Sequence, residues 1–251
     1  MPNAPMSTTR VYVPDRIRSG QALWLGGEKA HHLVRVLRVR GGDAVILFDG
    51  YGGEYPAVIE ETGRHRVRLL PGLHSPRDVE SPLKIRLIQG ISRGERMDFV
   101  VQKATELGVR RISPVHTACS VVRLKGERAG KRSAHWERIV QGACEQCGRN
   151  ILPPVDAAAD LDSVLGESFG GSRLILHTVA TQSIGSLQLS DPELTLLVGP
   201  EGGFTEAEIG LASRSGFVPV SLGPRILRTE TAALAAIAIL QSRLGDLLQP
   251  A

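Results

Sequence analysis

Two loops in the C-terminal third of the chain combine glycines with charged side chains and could form a ligand site. The first holds Gly199-Pro200-Glu201-Gly202-Gly203 and follows an apolar run. A helix is predicted after it, with Thr205 and Glu208 forming a capping box at its N-terminus. The second, residues 222–232, follows the next apolar run and holds Arg228 and Glu230 before an alanine-rich helix. Because ligands of open α/β sheets bind beyond the carboxyl ends of neighbouring strands, we expect one shared small-molecule pocket rather than two structural turns.

The sequence lacks the motifs of two common classes of nucleotide-binding enzyme. No glycines fall at the G-x-G-x-x-G spacing, and Gly130-Lys131 is followed by arginine rather than by Ser or Thr, so neither a dinucleotide fingerprint nor a P-loop is present. The spacing Cys144-x-x-Cys147 could form half of a metal site, but only Cys119 remains to complete it. We therefore predict free thiols and no metal.

The predicted strands and helices follow one pattern up to residue 70 and another beyond residue 82. Short β-like runs from Val11 to Leu70, interrupted by one amphipathic helix at Glu28–Arg38, predict a small β-barrel. A proline-containing stretch, residues 71–82, follows, and beyond it strands and helices alternate, as in a mostly parallel sheet covered by helices. We place the domains at residues 1–74 and 75–251, and the predicted fold class is α/β with a small N-terminal barrel.

Composition and charge limit the possible partners. Apolar residues make up 42% of the 251 residues, and no apolar run approaches the length of a membrane span, so we predict a globular protein without membrane contact. The first nine residues do not have the pattern of a secretory signal, and the three cysteines agree with a reducing compartment, so we predict the cytoplasm. The net charge is +3 over residues 1–75, +7 over 76–153 and −6 over 154–251. A basic front suits binding to a phosphate backbone, although solvated surface charge would give the same balance. The predicted RNA-binding residues are Arg10, His32, Arg35, Arg38, Arg93, Lys103 and Arg149.

Five motifs, taken in order, resemble one family across both domains. They are ISRGERM at 91–97, KATELG at 103–108, ACEQCGR at 143–149, GPEGG at 199–203 and LGPRILRTETA at 222–232. Together they resemble the RsmE-type 16S ribosomal RNA uridine methyltransferases of the SPOUT superfamily. The resemblance implies a C-terminal domain with a deep trefoil knot, a PUA-like RNA-binding barrel and a homodimer. It also implies methylation of uridine N3 at nucleotide 1498 of 16S rRNA in the small ribosomal subunit.

The same resemblance implies S-adenosylmethionine as cofactor, held by the two loops and by His177 at the end of the preceding strand. The residues so implied are His177, Leu197, Val198, Gly199, Pro200, Glu201, Gly202, Ser221, Leu222, Gly223, Ile226, Leu227, Arg228, Thr231 and Ala232.

The chemistry of such a reaction requires groups beyond the cofactor site. Uridine N3 carries a proton that must be removed, and the charge that develops spreads onto O2 and O4. Arg228 is the candidate for stabilising that charge, and Glu201 or Glu230 for accepting the proton directly or through water. Glu201 could instead only brace its loop, since a carboxylate near a helix N-terminus is stabilised there. Two other functions stay open: methylation of another RNA, such as tRNA, and a non-catalytic role in ribosome assembly.

Overall fold

The computed structural model describes residues 9–249 and separates into two compact units. Within the described residues, the first comprises residues 9–80 together with Cys144–Leu152, and the second comprises Ser81–Ala143 together with residues 153–249. The domain boundary at residues 74 and 75 stays a prediction. The inclusion of Cys144–Leu152 in the first unit is not apparent from the sequence.

A five-stranded sheet forms the first unit. Its strands are β1 (Arg10–Tyr12), β2 (Leu23–Gly26), β3 (Ala44–Phe48), β4 (Tyr55–Thr62) and β5 (Arg66–Pro71), in the order β1-β3-β4-β5-β2. Inward-facing residues alternate with exposed ones along β4 and β5, so that Ile59, Val67 and Leu69 are fully buried in one core. This sheet, curled around a single core, confirms the predicted small β domain.

The helix predicted at Glu28–Arg38 is shorter than expected. The α-helix α1 covers only Gly27–His31, and a π-helical turn follows at His32–Val36, where the N–H of Leu37 donates to the carbonyl of His32. Arg38 then adopts a φ of 55° and ends the segment. Because the wider turn rotates the later side chains, Leu33 is buried whereas Leu37 is 44% exposed. A regular α-helix over these residues would place Leu33 and Leu37 on one face, and the π-helical turn separates them.

The second unit is a six-stranded parallel sheet flanked by helices. Its strands are β6 (Lys84–Gly90), β7 (Arg111–His116), β8 (Ala159–Asp160), β9 (Ser172–Leu176), β10 (Glu193–Val198) and β11 (Val218–Val220). The order is β11-β9-β10-β6-β7-β8, and every pair is parallel. Its helices are α2 (Glu95–Glu106), α3 (Gly126–Cys147), α4 (Leu161–Leu165), α5 (Glu206–Arg214) and α6 (Thr229–Leu244). A 3₁₀ turn lies at Ile184–Ser186.

Parallel pairing brings the loops of interest to one edge of this sheet. β9, β10 and β11 are neighbours, so the segments that follow their carboxyl ends leave the sheet side by side. The α/β class predicted from the sequence is confirmed. The trefoil knot stays a prediction, because strand order does not specify which segment passes through which loop.

Helices α2 and α6 pack against each other beside the sheet. The apolar stripe of α2, which includes Met97, Val100 and Ala104, is fully buried, as its spacing predicts. Gln241 of α6 is also fully buried, and its side-chain amide donates to the carbonyl of Leu107 at the end of α2. This bond satisfies one of the carbonyls that a helix C-terminus leaves without an internal partner.

Candidate active site

A cavity of about 440 Å³ opens where the segments after β9, β10 and β11 meet. Its volume lies within the range of roughly 300–1,000 Å³ typical of small-molecule sites. Among the residues predicted to bind cofactor, the cavity is lined by His177, Val198, Gly199, Pro200, Glu201, Ser221, Leu222, Gly223, Ile226, Leu227, Arg228 and Ala232. The structure therefore brings together both loops and the preceding strand end, as one shared pocket requires.

Three predicted cofactor residues do not line the cavity. Leu197 is fully buried within β10, where it packs in the core. Gly202 lies against Cys119, since a Cβ atom built on it would come within 2.9 Å of the Cys119 Cβ. Thr231 lines a second, neighbouring cavity. Contact of these three residues with a cofactor stays a prediction.

Several lining residues do not emerge from the sequence motifs as cofactor contacts. They are Arg96, Leu176, Thr178, Gly203, Phe204, Val220, Arg225 and Thr229. Most are direct neighbours of predicted residues and follow once the loops are placed. Arg96 is different, because it comes from α2, more than a hundred residues earlier in the chain. Only its position within the ISRGERM motif marks it.

A buried glutamine ties the two loops to the sheet. Gln89, fully buried near the end of β6, donates from its side-chain amide to the hydroxyl of Thr229 at 3.0 Å and to the carbonyl of Gly199 at 3.4 Å. The Thr229 hydroxyl in turn donates to the same Gly199 carbonyl. One side chain thus links β6, the first loop and the beginning of α6. The Oε1 atom of Gln89 is buried and finds no hydrogen-bond partner among the residues described.

Two glycines shape the cavity by their lack of a side chain. A Cβ atom on Gly90, at the end of β6, would lie 2.5 Å from the backbone nitrogen of Pro200, so only glycine lets the first loop approach this closely. Gly223 lines the cavity with a φ of 89°, a conformation that side-chain-bearing residues rarely adopt. Gly90 therefore sets how closely the first loop approaches β6, and Gly223 permits the turn of the second loop.

Glu201 is held as a carboxylate by its neighbours. Its Oε1 accepts hydrogen bonds from the backbone N–H of Arg93 at 3.1 Å and from the Arg96 guanidinium at 2.7 Å. Burial alone would raise the pKa of Glu201, but the backbone hydrogen bonds and the Arg96 guanidinium outweigh it and hold the pKa below its ordinary value of 4.5. A carboxylate stabilised in this way is a weak proton acceptor.

A second cavity, of about 760 Å³, adjoins the first. It is lined by Glu95, Arg96, Asp98, Phe99, Gln102, Ile139, Arg228, Glu230 and Thr231. Arg96 and Arg228 line both cavities. The three predicted catalytic residues are thus distributed around this junction, with Glu201 in the first cavity, Glu230 in the second and Arg228 in both.

The acidic residues of the second cavity differ in how they are engaged. The Asp98 carboxylate accepts from the Trp136 indole and the His135 imidazole and pairs with Arg132 at 2.9 Å. By contrast, the Oε2 atom of Glu230 is buried and has no hydrogen-bond partner within residues 9–249. A buried carboxylate oxygen without a partner is costly, so Glu230 is suited to receive a donor from a ligand.

The predicted RNA-binding residues fall into two groups. His32, Arg35, Arg38 and Arg93 are exposed, and Lys103 is half-buried beside Glu106. Arg149 is only 3% exposed, and its guanidinium is hydrogen-bonded to the Glu80 carboxylate. Arg10 pairs with Glu54 at 2.6 Å, and both side chains are 12% exposed. Contact of all seven residues with RNA stays a prediction, but Arg10 and Arg149 already neutralise buried carboxylates of the first unit.

The motif at 143–149 anchors its own segment within the first unit. The Glu145 carboxylate accepts from the backbone N–H of Tyr12 at 2.9 Å and from the Lys29 ammonium at 3.4 Å. Burial lowers the pKa of Lys29, although Glu145 acts in the opposite direction. Burial raises the pKa of Cys144 to about 12, so this residue stays a neutral thiol.

Neither membrane spans nor metal clusters occur in the described part of the chain. Across residues 9–249, no helix combines the length and the apolar character needed to cross a bilayer. Over the same residues, no group of three or more His, Cys, Asp or Glu side chains is arranged to hold a metal ion.

Comparison with known proteins identifies two family models in this chain. Residues 79–241 match the RNA methyltransferase domain, and residues 25–71 match the RNA methyltransferase PUA domain. These matches support the α/β fold with a PUA-like N-terminal sheet that the sequence predicts.

Individual relatives cover almost the whole chain. A ribosomal RNA small subunit methyltransferase E from Buchnera aphidicola is 34% identical, over 95% of this chain and 97% of that protein. A methyltransferase from Legionella pneumophila, solved with the cofactor SAM, is 42% identical, with a TM-score of 0.92 over 96% of this chain and 99% of the other. A ribosomal RNA small subunit methyltransferase E from Neisseria gonorrhoeae, solved with S-adenosyl methionine, is 41% identical, with a TM-score of 0.89 over the same shares of the two chains.

Proposed function

Because the chain belongs to the ribosomal RNA small subunit methyltransferase E family, we propose that it methylates N3 of one uridine, nucleotide 1498, of 16S rRNA in the small ribosomal subunit. S-adenosylmethionine is the proposed methyl donor. The observation that carries the proposal is the pair of adjoining cavities that share Arg96 and Arg228. One cavity suits the cofactor, and the other offers polar groups to a base.

The residues of the first cavity suit S-adenosylmethionine. Leu222, Ile226 and Leu227 offer apolar contacts for an adenine ring, and the backbone groups of the glycine-containing loops offer hydrogen bonds to its polar edges. When bound, the cofactor supplies a methyl group on a sulfonium, which is transferred by in-line displacement. The contribution of the chain is to fix the direction in which donor and acceptor approach each other. The hydrogen bonds from Gln89 to both loops therefore matter for the rate of methyl transfer as well as for the affinity for the cofactor.

Glu230 is the favoured acceptor of the N3 proton. Its buried Oε2 is without a partner, whereas the Glu201 carboxylate is already engaged by Arg93 and Arg96. The basicity of Glu201 is reduced accordingly, and its favoured role is to hold the first loop beside α2. Glu230 lies in the first turn of α6, within the cavity proposed to receive the base.

Arg228 is suited to stabilise the negative charge that remains on the base when N3 loses its proton. It lies immediately before α6 and lines both cavities, so its guanidinium can reach a base that faces the cofactor. A guanidinium is a permanently charged donor, so a hydrogen bond from it to O2 or O4 would stabilise the anion while leaving N3 open to the methyl group. Arg228 is also exposed, so a bound RNA can contact its guanidinium.

The proposed partners are the 16S rRNA, as part of the small subunit, and a second copy of this chain. Phe99, 46% exposed in the second cavity, supports a homodimer, since an exposed aromatic ring beside Ile139 is a suitable contact for another protein surface. The proposed compartment is the cytoplasm, where the small subunits are assembled.

Mass spectrometry of 16S rRNA tests the proposal directly. Small subunits from a strain that lacks this protein are incubated with the purified protein and S-adenosylmethionine. A new 3-methyluridine at nucleotide 1498 is the expected product. A methyl group on tRNA instead, or cofactor binding without transfer to the small subunit, would refute the choice of substrate. Absence of both transfer and cofactor binding would favour a non-catalytic assembly role.

A further inference from the structure

An exposed tryptophan lies beside two arginines on the outer face of the first unit. Trp24 of β2 is 46% exposed and lies opposite Arg68 of β5 in the antiparallel register. Arg66 is the next outward-facing residue of β5, and its guanidinium carbon lies 4.1 Å from the centre of the indole ring. Gly26, the residue opposite Arg66, has no side chain, which leaves Arg66 free to lean onto the indole.

We propose that Trp24, Arg66 and Arg68, which we call the tryptophan platform, bind single-stranded RNA. One unpaired base stacks on the indole, and the phosphates on either side of it contact the two guanidinium groups. The proposal depends on the proposed function only for which RNA binds in the cell, namely unpaired nucleotides of the ribosomal substrate. The stacking itself is a property of this surface.

The position of Trp24 in the sheet keeps the ring accessible. β2 is the last strand in the order β1-β3-β4-β5-β2, so no further strand among residues 9–249 pairs with its outer edge. The guanidinium carbons of Arg66 and Arg68 lie 4.1 and 6.0 Å from the centre of the ring, and 46% of Trp24 remains exposed to a flat partner. Base stacking on an aromatic side chain needs only such an open face and tolerates any base.

The charges around Trp24 favour RNA over a protein partner. Arg68 pairs with Glu60 at 3.0 Å, but no carboxylate among the described residues pairs with Arg66. Arg64 and His65 precede Arg66 and are exposed as well. An apolar protein surface would satisfy the indole but would remove the Arg66 guanidinium from water without a partner, which is costly. A nucleotide supplies both a flat ring and a negative charge.

Intrinsic fluorescence of the full-length protein gives a direct readout. The chain has two tryptophans, and Trp136 is fully buried, so Trp24 is the exposed reporter. A short single-stranded oligouridylate is expected to quench its emission saturably, whereas inorganic polyphosphate is not. Quenching by polyphosphate to the same extent would show that charge alone is recognised and would overturn the stacking proposal.

Variants separate the ring from the charges. Trp24→Ala is expected to weaken oligouridylate binding about tenfold, and Trp24→Phe to restore most of it, because stacking requires an aromatic ring. Arg66→Ala is expected to lower the slope of log K against log salt by roughly 0.7, as one lost phosphate contact predicts for single strands. The control Leu73→Ala removes an 83% exposed apolar side chain of the same unit and should bind as wild type. Wild-type affinity in Trp24→Ala would overturn the proposal.

Two further outcomes identify which hypothesis fails. If Trp24 emission changes with protein concentration in the absence of RNA, and Trp24→Ala weakens self-association, the surface is a contact between copies and the platform is refuted. If the wild type transfers no methyl group to small subunits but Trp24-dependent oligouridylate binding persists, the proposed function fails and the platform stands.

Discussion

The guanidinium of Arg96 and the backbone N–H of Arg93 donate to the same carboxylate oxygen of Glu201. The beginning of α2 thereby holds the first loop by a charge-assisted contact across more than a hundred residues of sequence. The two glutamates that the sequence offers as proton acceptors therefore differ. The Glu201 carboxylate is already hydrogen-bonded, whereas Glu230 has a carboxylate oxygen without a partner among the described residues.

Glu201→Gln should reduce stability and leave the chemical step intact. The side chain is 27% exposed, so we expect a loss of about 0.5–1 kcal/mol in the free energy of unfolding at neutral pH. Because the pKa of Glu201 is lowered in the folded state, its contribution is present above the ordinary value of 4.5 and is lost as the pH falls through the lower, folded value. Urea unfolding of both proteins at neutral and acidic pH measures this, and the difference should shrink on acidification. A methylation rate that loses its pH dependence in Glu201→Gln would instead identify Glu201 as the base.

Glu230→Gln should slow methyl transfer without weakening cofactor binding. A positioned proton acceptor contributes typically about 10²–10⁴-fold, so we expect kcat to fall at least about a hundredfold. Calorimetric titration with S-adenosylmethionine should give a Kd close to that of the wild type. Glu206→Gln is the matched control, because Glu206 is an exposed glutamate in the first turn of α5. Equal activity of Glu230→Gln and wild type would eliminate Glu230 as the base.

Gln89→Leu should loosen both loops at once. The substitution removes the donated bonds to Thr229 and Gly199 and leaves the buried volume nearly unchanged, so we expect a loss of about 1–3 kcal/mol and weaker binding of S-adenosylmethionine. Thermal unfolding with and without the cofactor measures both effects. Gln21→Leu, at an exposed position, is the control and should change neither. Unchanged cofactor affinity in a less stable Gln89→Leu protein would show that the tie supports the fold alone.

Gly90→Ala should distort the approach of the first loop to β6. The added methyl group would lie 2.5 Å from the backbone nitrogen of Pro200, so we expect a loss of about 1–3 kcal/mol together with reduced cofactor affinity. Gly130→Ala is the control, since no atom lies within 4 Å of the added group and Gly130 lies within helix α3. That variant should gain about 0.5–1 kcal/mol. Denaturant unfolding compares the two, and a neutral Gly90→Ala would contradict the steric role.

Arg149→Ala should destabilise the first unit strongly. It leaves Glu80, 11% exposed, without its guanidinium partner, and breaking such a buried pair costs about 3–5 kcal/mol. Lys131→Ala removes the exposed partner of Glu127 and should change stability by about 0.5 kcal/mol at most. Urea unfolding compares the two. A stable Arg149→Ala protein with reduced affinity for RNA would support the direct RNA contact predicted from the sequence.

Local patterns predicted most of the elements because local forces determine them. The alternation along β5 and the stripe of α2 between Gly94 and Gly108 reflect burial of one face, which the sequence shows directly. The break at His32–Val36 does not follow from spacing, because a π-helical turn and a helical turn use the same apolar residues. The capping box of Thr205 and Glu208 involves residues only three positions apart, and both of its predicted hydrogen bonds are present.

The sequence predicts where the two loops of the site lie, but it does not predict the contacts between side chains far apart in the chain. Glycines and polar residues after apolar runs indicate where a cavity forms at the edge of a parallel sheet. The pairings of Arg96 with Glu201 and of Arg149 with Glu80 join residues far apart in sequence, and no local pattern encodes them. The same applies to Gln89, a single polar residue near the end of an apolar strand.

The segment Cys144–Leu152 makes the first unit discontinuous in the gene. Glu145, Arg149 and Asn150 supply partners to Tyr12, Glu80 and Arg10, so a fragment that ends at residue 80 would contain carboxylates and backbone groups whose partners are encoded some sixty residues later. A single recombination event therefore could not transfer the complete first unit to another enzyme as one continuous segment. Evolution of this protein must preserve both pieces together, and any dissection of it needs a graft of the later segment onto the earlier one.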